Sequence, residues 1–360
     1  MLLKKNETLV ELLNNIKKES KTPEYSTADI KRIAFFKGKG ILFEFYTKID
    51  SIFYKDTSID FDVETAEPAI ISLISKLFKT SDEIKIETDY ETILINDKFR
   101  IKSSGIEQND DASDLETFIS FTKEQFEALE GDFKFSQNIY FQLPKALDTI
   151  VFVVYQGKLW KLVPGATIAR KIMKFDATVN EALLAQRFGF ADFAFVFPKH
   201  IFDFVKGSEV SISFNKTTCC VSTDKLEIRF SLVDFGTKTF KEKLNYFSTA
   251  EKIATAKQFK DIVEKIFVDN DFEEALGNSV KIKIVDNVMT VEAGDNGYLT
   301  YKEEVDFPDI EMELLDSIKY CLDDFTDDKY FFWDKEHSEA GVINNKEQTC
   351  FYCFHDEEDN

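Results

Sequence analysis

Two cysteines three positions apart, Cys350 and Cys353, form a pattern that many metal sites and redox centres use. They lie in the stretch 349–354, whose aromatic and apolar residues predict a β-strand. Residues three apart in a strand point to opposite faces, so these two thiols cannot share a metal ion. Cys219 and Cys220 are adjacent in another predicted strand and also diverge. We interpret the cysteines as buried or unreactive thiols of a reducing compartment.

The acidic clusters offer little more chemistry. Asp60 and Asp62 would share one face of a strand and could hold a cation, but a solvent-facing hairpin edge is the simpler interpretation. The segment 269–274 begins like a calcium loop, yet Glu274 stands where the sharp turn needs glycine. The histidines are far apart, and neither a phosphate-binding loop nor a nucleophile elbow is present. The sequence therefore predicts no catalytic residue, no metal, no cofactor and no enzymatic activity.

Composition bounds the protein class. The 360 residues are 44% hydrophobic and include 37 phenylalanines, which predicts a packed chain of two or three domains. The net charge of −21 argues against a protein that coats nucleic acid with its whole surface, but it permits positive charge on one face. No apolar run approaches the roughly 18 residues of a membrane span, and residues 1–5 are too short for a signal peptide. We expect a cytoplasmic protein without membrane contact.

The elements that must position any functional residue come as an internal repeat. A short amphipathic helix, a polar turn and alternating strands occur three times, at intervals of about 120 residues. The predicted helices are 67–79, 197–206 and 310–322, followed by strands at 84–88 and 91–95, at 210–214, and at 330–333.

A second class of helix lies between these. One opens at Thr8 with a capping-box pattern, a second begins at Thr122, and a third contains Phe259. Strand-like stretches follow each of them, and together they make six helix-plus-strands units, paired into three domains. The predicted domains are 1–117, 118–240 and 241–360, in an α+β fold with the helices packed on one side of the sheets.

Lysines lie opposite the apolar stripe on four of the six predicted helices, in a chain that is otherwise acidic. Solvent-facing lysines are common on helices, but their shared placement in separate domains favours a phosphate-binding surface. The 122–130 helix is an exception, because it presents Glu124 and Glu127. The candidate DNA-binding residues are Lys17, Lys18, Lys76, Lys79, Lys199, Lys206, Lys257 and Lys260.

With these units in place, the chain resembles the bacterial-type β sliding clamp of replicative DNA polymerases, in a diverged or phage-encoded version. The resemblance extends over nearly the whole chain and rests on the repeat layout and on short matches. The matching segments are 166–171, 195–199, 208–214, 259–265 and 314–318.

The resemblance implies a head-to-tail homodimer of three-domain subunits that encircles double-stranded DNA, with helices lining the inside of the ring and sheets on the outside. It further implies a clamp loader that opens the ring and a replicative DNA polymerase whose peptide docks in a hydrophobic pocket. The matching pocket positions are Thr167, Ala169, Ile172, Phe240, Phe351 and Phe354. The alternative is that these six are ordinary core residues. For the whole protein, the alternative is a non-enzymatic structural or protein-binding module, such as a virion component, with clamp-like repeats.

Overall fold

A computed structural model gives the fold of the chain. It describes residues 1–19, 30–46, 49–106, 116–139, 149–155, 158–163, 171–174, 177–188, 192–215, 217–232, 252–267, 279–293, 299–315, 327, 329–334, 339–344 and 349–353.

Seven helices are described, and each has an apolar side. In α1 the stripe of Leu9, Leu12, Leu13 and Ile16 is buried, as the i, i+3, i+4, i+7 spacing predicts. In α7 the same spacing buries Phe259, Ile262, Val263 and Ile266. The helices are α1 Glu7–Glu19, α2 Ala69–Leu77, α3 Lys123–Glu127, α4 Leu129–Ile139, α5 Glu181–Phe188, α6 Lys199–Val205 and α7 Ala256–Phe267.

Capping side chains fix where several helices begin. In front of α3, the Thr122 backbone N–H donates to Gln125 Oε1 at 2.9 Å, and the Gln125 N–H donates back to Thr122 Oγ1 at 3.3 Å. Thr255 and Gln258 repeat this reciprocal box before α7, at 3.0 and 3.3 Å. The predicted box at Thr8 is wrong, because α1 begins one residue earlier and the Thr8 N–H donates to the side chain of Asn6.

Twenty-five strands are described, in five antiparallel sheets. They are β1 Leu2–Lys4, β2 Ile30–Phe36, β3 Gly40–Phe45, β4 Ile49–Lys55, β5 Val63–Thr65, β6 Glu83–Thr88, β7 Thr92–Ile95, β8 Phe99–Lys102, β9 Thr117–Phe121, β10 Thr149–Tyr155, β11 Lys158–Val163, β12 Lys171–Lys174, β13 Thr178–Val179, β14 Phe193–Pro198, β15 Val210–Phe214, β16 Thr218–Ser222, β17 Leu226–Ser231, β18 Lys252–Thr255, β19 Ser279–Val285, β20 Val288–Ala293, β21 Leu299–Glu304, β22 Ile310–Leu315, β23 Lys329–Asp334, β24 Glu339–Asn344 and β25 Thr349–Cys353.

The strand order repeats three times. The first repeat contains the ordered strands β1-β6-β7-β8, the second β9-β15-β16-β17 and the third β18-β23-β24-β25. A second kind of four-strand set also occurs three times, as β5-β2-β3-β4, β14-β10-β11-β12 and β22-β19-β20-β21. Each repeat thus combines one set of each kind, with helices in the connections, and the predicted α+β class is confirmed. The domain boundaries themselves remain a prediction.

The described chain divides into two compact units. Unit 1 comprises Met1–Glu127, Ala177–Arg187 and His200–Val233, and unit 2 comprises Ala128–Asp176, Phe188–Lys199 and Asp234–Asn360. In unit 1, α1 and α2 contact each other, and their apolar sides share a core with Ile33, Phe35 and Phe43 of the sheet. In unit 2, α7 packs on β18 and β23, with the Phe259 and Phe331 rings stacked at 3.8 Å between centroids.

Within unit 1, strands of two repeats join in one sheet. β4 pairs with β17, which makes the nine-strand order β13-β9-β15-β16-β17-β4-β3-β2-β5. We call this junction the β4–β17 seam. In unit 2, the corresponding edge strand β12 lies against β25. β17 and β25 are each the last strand of a set of the first kind, and β4 and β12 are each the last strand of a set of the second kind. The last strands of the two kinds of set therefore meet twice, as β17 with β4 and as β25 with β12.

Two local expectations need correction. The predicted helix 310–322 is wrong over its first part, because 310–315 is strand β22, whose Glu311 and Glu313 lie opposite Lys283 and Lys281 of β19. Residues 316–322 lie outside the described residues. Helix α5 was not predicted; the Asn180 side chain caps it by accepting from the Leu183 N–H at 3.0 Å.

Candidate nucleic-acid interface

Lys76 lies in the last turn of α2 and Lys79 in the turn that directly follows it; we call both the lysines of α2, a helix without acidic residues. Lys76 and Lys79 are exposed, while Ile70, Ile71 and Ile74 are buried on the other side. No carboxylate occurs in sequence between Glu67 and Asp82. Among the described residues, neither lysine forms an ion pair. Both ammonium groups are therefore available to an anionic partner.

The lysines of α7 have carboxylates beside them. Lys257 Nζ lies 3.8 Å from Asp327 Oδ1, and Lys260 Nζ lies 3.7 Å from Glu264 Oε1, one helical turn away. At the end of the same helix, Lys265 Nζ donates to Glu303 Oε1 at 2.8 Å. These carboxylates balance the positive charge of α7 locally.

The remaining candidate lysines lie on α1 and α6. Lys206 is exposed directly after α6 and has no ion pair among the described residues, whereas Lys199 at the start of that helix is half-buried. Lys17 and Lys18 belong to the last turns of α1, but their side chains lie outside the described residues.

Helix α3 carries a net negative charge, and the acidic residues of α4 are paired with lysines. Glu124 and Glu127 are exposed on α3, and Glu127 pairs with Lys123 at 3.9 Å. On α4, Asp132 is buried and forms an ion pair with the nearly buried Lys161 of β11. A buried pair of this kind fixes the helix to its sheet, because removing one partner leaves an uncompensated charge. These helices offer a phosphate backbone little attraction.

β8 and β21 are the third pair of strands at the positions of β17 and β4, and among the described residues they do not meet a partner strand there. β8 ends the set β1-β6-β7-β8, β21 ends the set β21-β20-β19-β22, and no described strand pairs with the free side of either. β8 carries Arg100 and Lys102, both exposed, whereas β21 ends in Glu303 and Glu304. We call β8 and β21 the open edges. The net charges of the two strands have opposite sign, +2 for β8 and −1 for β21, in which Lys302 precedes the two glutamates. Both strands occupy the positions that β17 and β4 fill in the seam.

Glu303 links the open edge β21 to helix α7. It accepts from Lys265 and, through Oε2, from the Tyr301 hydroxyl at 2.5 Å. The hydrogen bond from Lys265, followed by that from Tyr301, lowers the pKa of Glu303, while the same bond raises the pKa of Tyr301. The charged form of Glu303 is thus the form that holds β21 against the helix.

The predicted peptide pocket is largely outside the described residues. Thr167, Ala169, Phe240 and Phe354 fall there, as do the side chains of Ile172 in β12 and Phe351 in β25. The strands β12 and β25 themselves lie against each other in unit 2. The backbone therefore places two of the six positions on neighbouring strands.

The candidate reactive groups, two thiols and two carboxylates, are buried or are bound to neighbouring groups. Cys219 and Cys220 are buried in β16, and burial raises the pKa of both thiols, that of Cys220 to about 11. Asp60 and Asp62 lie in a loop rather than a strand, where Asp60 is 3.6 Å from the Met1 ammonium and Asp62 accepts from the Lys37 N–H. No group of three metal-ligating side chains occurs in the part of the chain that the structure describes. Nor does that part contain a helix long and apolar enough to cross a bilayer.

Known structures match this arrangement from end to end. The DNA polymerase sliding clamp of Pseudomonas aeruginosa has a TM-score of 0.61 and 12% sequence identity, with 99% of each chain covered. The beta subunit of DNA polymerase from Streptococcus pyogenes has a TM-score of 0.63 at 12% identity, covering 99% of this chain and 100% of that one. For the sliding clamp of Bacillus subtilis the values are 0.62 and 11%, with 99% of each chain covered.

The chain has the sliding-clamp fold. No protein-family model matches the sequence, and a search of curated proteins gave no match. The sliding-clamp fold accounts for the threefold strand order. Sequence reasoning missed the open edges, although the basic strand 99–102 and the acidic end of 299–304 carried a signal in their charges.

Proposed function

We propose that this protein is a DNA sliding clamp, a non-enzymatic processivity factor that encircles duplex DNA and tethers a replicative polymerase. The observation that carries the proposal is the threefold strand order in a chain with the sliding-clamp fold, in which β8 and β21 lack the partner strand that β17 and β4 have, among the described residues. A closed ring holds DNA topologically, so it needs no strong contact with any base or phosphate and can slide.

Closure of the ring would use the open edges. In a head-to-tail homodimer, β8 of one copy pairs with β21 of the other, and both open edges of both copies are covered. Arg100 and Lys102 then face a strand that ends in Glu303 and Glu304, so charge favours this pairing over β8 with β8. Covering the edges also removes two unpaired strands that could otherwise aggregate.

The helices would line the inside of that ring. There Lys17, Lys18, Lys76, Lys79, Lys199, Lys206, Lys257 and Lys260 would meet the phosphate backbone. Lysine contacts to phosphate carry no sequence information and are screened by salt, which suits a protein that must move along DNA. The exposed Glu124 and Glu127 of α3 leave the contact non-uniform.

Partner proteins would dock at a separate pocket in unit 2. We propose that Thr167, Ala169, Ile172, Phe240, Phe351 and Phe354 form it, and that it receives an extended peptide of the polymerase or of the clamp loader. A few apolar anchors in an aromatic pocket suit such a peptide. A role in replication places the protein in the cytoplasm of a bacterium or an infected host cell.

Retention on circular DNA tests the proposal. The protein is loaded with a clamp loader and polymerase onto nicked circular DNA, washed with high salt, and the DNA is then linearised. A ring stays on the circle through the wash and leaves from the ends after cutting. A phosphate-binding protein without a ring is lost in the wash, since screening removes its contacts. Loss from the circle would overturn the clamp proposal and favour the structural-module alternative.

A further inference from the structure

The lysines of α2 and α7 have equal formal charge but different local surroundings. Lys76 and Lys79 have no ion-pair partner among the described residues and no carboxylate on their helix. Lys257 and Lys260 each have one, at 3.8 and 3.7 Å, and Asp261, directly after Lys260 in the same helix, is a further exposed carboxylate. A phosphate group that approaches α7 therefore meets negative charge that is absent at α2.

We infer that the two helices contribute unequally to DNA contact: α2 carries direct phosphate contacts through Lys76 and Lys79, whereas Asp327 and Glu264 mask Lys257 and Lys260 of α7. This inference rests on the proposed function. It assigns the DNA-binding role to part of the lysine set, and it assigns two acidic residues the role of weakening the contact at α7.

The physical basis is counterion release. A lysine that neutralises a phosphate releases a condensed cation, so the logarithm of the binding constant falls by about 0.9 per logarithm of salt concentration for each contact. A lysine that already has a carboxylate neighbour must exchange that partner for phosphate, which leaves the carboxylate close to the DNA. The net gain at α7 is therefore smaller, even though exposed ion pairs of this kind are individually weak.

Binding to a short linear duplex at several salt concentrations measures the difference. For Lys76→Ala/Lys79→Ala we expect weaker binding and a salt slope lower by roughly two, because two contacts are lost. For the matched variant Lys257→Ala/Lys260→Ala we expect a slope within about 0.5 of the unmodified protein. Lys76, Lys79 and Lys257 are exposed and Lys260 is partly exposed, so a thermal unfolding midpoint close to that of the unmodified protein serves as the folding control.

A gain-of-contact variant gives the opposite readout. In Glu264→Gln/Asp327→Asn, the two lysines lose their acidic neighbours, and we expect tighter binding with a slope steeper by one to two, at about 0.9 per new contact. The reverse control, Glu91→Gln/Asp224→Asn, removes as many charges at exposed carboxylates that form no ion pair among the described residues. We expect it to steepen the slope less.

Retention on nicked circular DNA separates this inference from the proposed function. Failure of the unmodified protein to stay on the circle would overturn the clamp proposal. Retention together with equal slope losses for the α2 and α7 variants, or an unchanged slope for Glu264→Gln/Asp327→Asn, would overturn only the masking by Asp327 and Glu264.

Discussion

The β4–β17 seam and the open edges occupy equivalent positions in the repeated strand order. They differ in that β4 and β17 pair with each other, whereas β8 and β21 have no described partner strand there. In the seam, Ile52 and Ile228 lie opposite each other and are fully buried. Lys55 closes one end of it, with its N–H donating to Lys225 O and its ammonium to Thr223 O, both at 2.8 Å. On the open edges, Phe99 is 43% exposed and its neighbour Arg100 is exposed.

The same position in the strand order is thus filled within the chain at the seam and is left to a partner strand at the open edges in the proposed dimer. The seam buries β-branched side chains between strands of a single chain, so it forms on folding. A short edge with charged side chains resists indiscriminate pairing and selects a partner of opposite charge. Under the proposed function, the ring would open at the junction of β8 with β21 rather than at the β4–β17 seam.

The largest effect is expected from the core of the seam. Ile228→Ala removes three buried carbons opposite Ile52 and should lower the free energy of unfolding of unit 1 by about 2–5 kcal/mol. Urea unfolding monitored by circular dichroism measures the loss. The conservative change Ile228→Val should cost only about 0.5–1.5 kcal/mol. Equal losses for both variants would mean that the seam is not tightly packed.

Charge reversal on the open edge should come next in size. Arg100→Glu/Lys102→Glu places acidic side chains on β8 against the acidic end of β21, and we expect the dissociation constant of the homodimer to rise at least about tenfold. Sedimentation equilibrium measures the constant. Adding Glu304→Lys should restore part of the affinity, since it returns an opposite charge to the partner strand.

The control for charge reversal uses two lysines away from the open edges. Lys37 and Lys225 are exposed in turns of unit 1, and Lys37→Glu/Lys225→Glu changes the same number of charges. This variant should keep the dimer affinity of the unmodified protein. A monomeric unmodified protein, or equal weakening by both double variants, would argue against the pairing of β8 with β21.

Local patterns in the sequence predicted much of the fold. The stripes of α1 and α7 and the alternation in β6, β15 and β23 are short-range signals, and the structure has helices and strands there. The segment 310–315 was misread because its apolar residues fit a helix as well as a strand. What decides the strand is distant in sequence, since Glu311 and Glu313 lie opposite Lys283 and Lys281 of β19.

The candidate site was harder to predict than the fold. Helical spacing indicates which side of α7 Lys257 occupies, but not that Asp327 approaches it from 70 positions away. Likewise, the charges of segments 99–102 and 299–304 distinguish these two strands, but no local pattern shows that β4 pairs with β17 while β8 stays open. Both facts depend on long-range pairing, which composition and periodicity do not encode.

A carboxylate on the open edge should have a smaller effect than the reversals. Lys265 and Tyr301 lower the pKa of Glu303 below its ordinary 4.5, so its contribution to stability is present above that value and is lost as the pH falls. Glu303→Gln should therefore lower stability at pH 7 by less than about 1 kcal/mol, with a smaller difference at pH 4. Urea unfolding midpoints at the two pH values test this. The neighbouring change Glu304→Gln should have no comparable effect on stability. An equal loss would show that Glu303 stabilises the protein only by its negative charge and not by its hydrogen bonds to Lys265 and Tyr301.

The smallest effect, with the opposite sign, belongs to a carboxylate at the seam. Burial raises the pKa of Asp50 above its ordinary 3.8, although the hydrogen bond from the Ser231 hydroxyl at 3.2 Å acts to lower it. Ionisation of Asp50 therefore opposes folding as the pH rises. Asp50→Asn keeps an oxygen that accepts from Ser231 and removes the charge. It should raise the free energy of unfolding at pH 7 by about a few tenths of a kcal/mol, and by less at pH 4. The urea unfolding midpoint should rise accordingly. Ser231→Ala should lower the midpoint, because it removes the bond but keeps the charge. A loss of stability in Asp50→Asn at pH 7 would show that the Asp50 charge stabilises the seam, as the Glu303 charge stabilises the open edge. The seam and the open edge would then not differ in this respect.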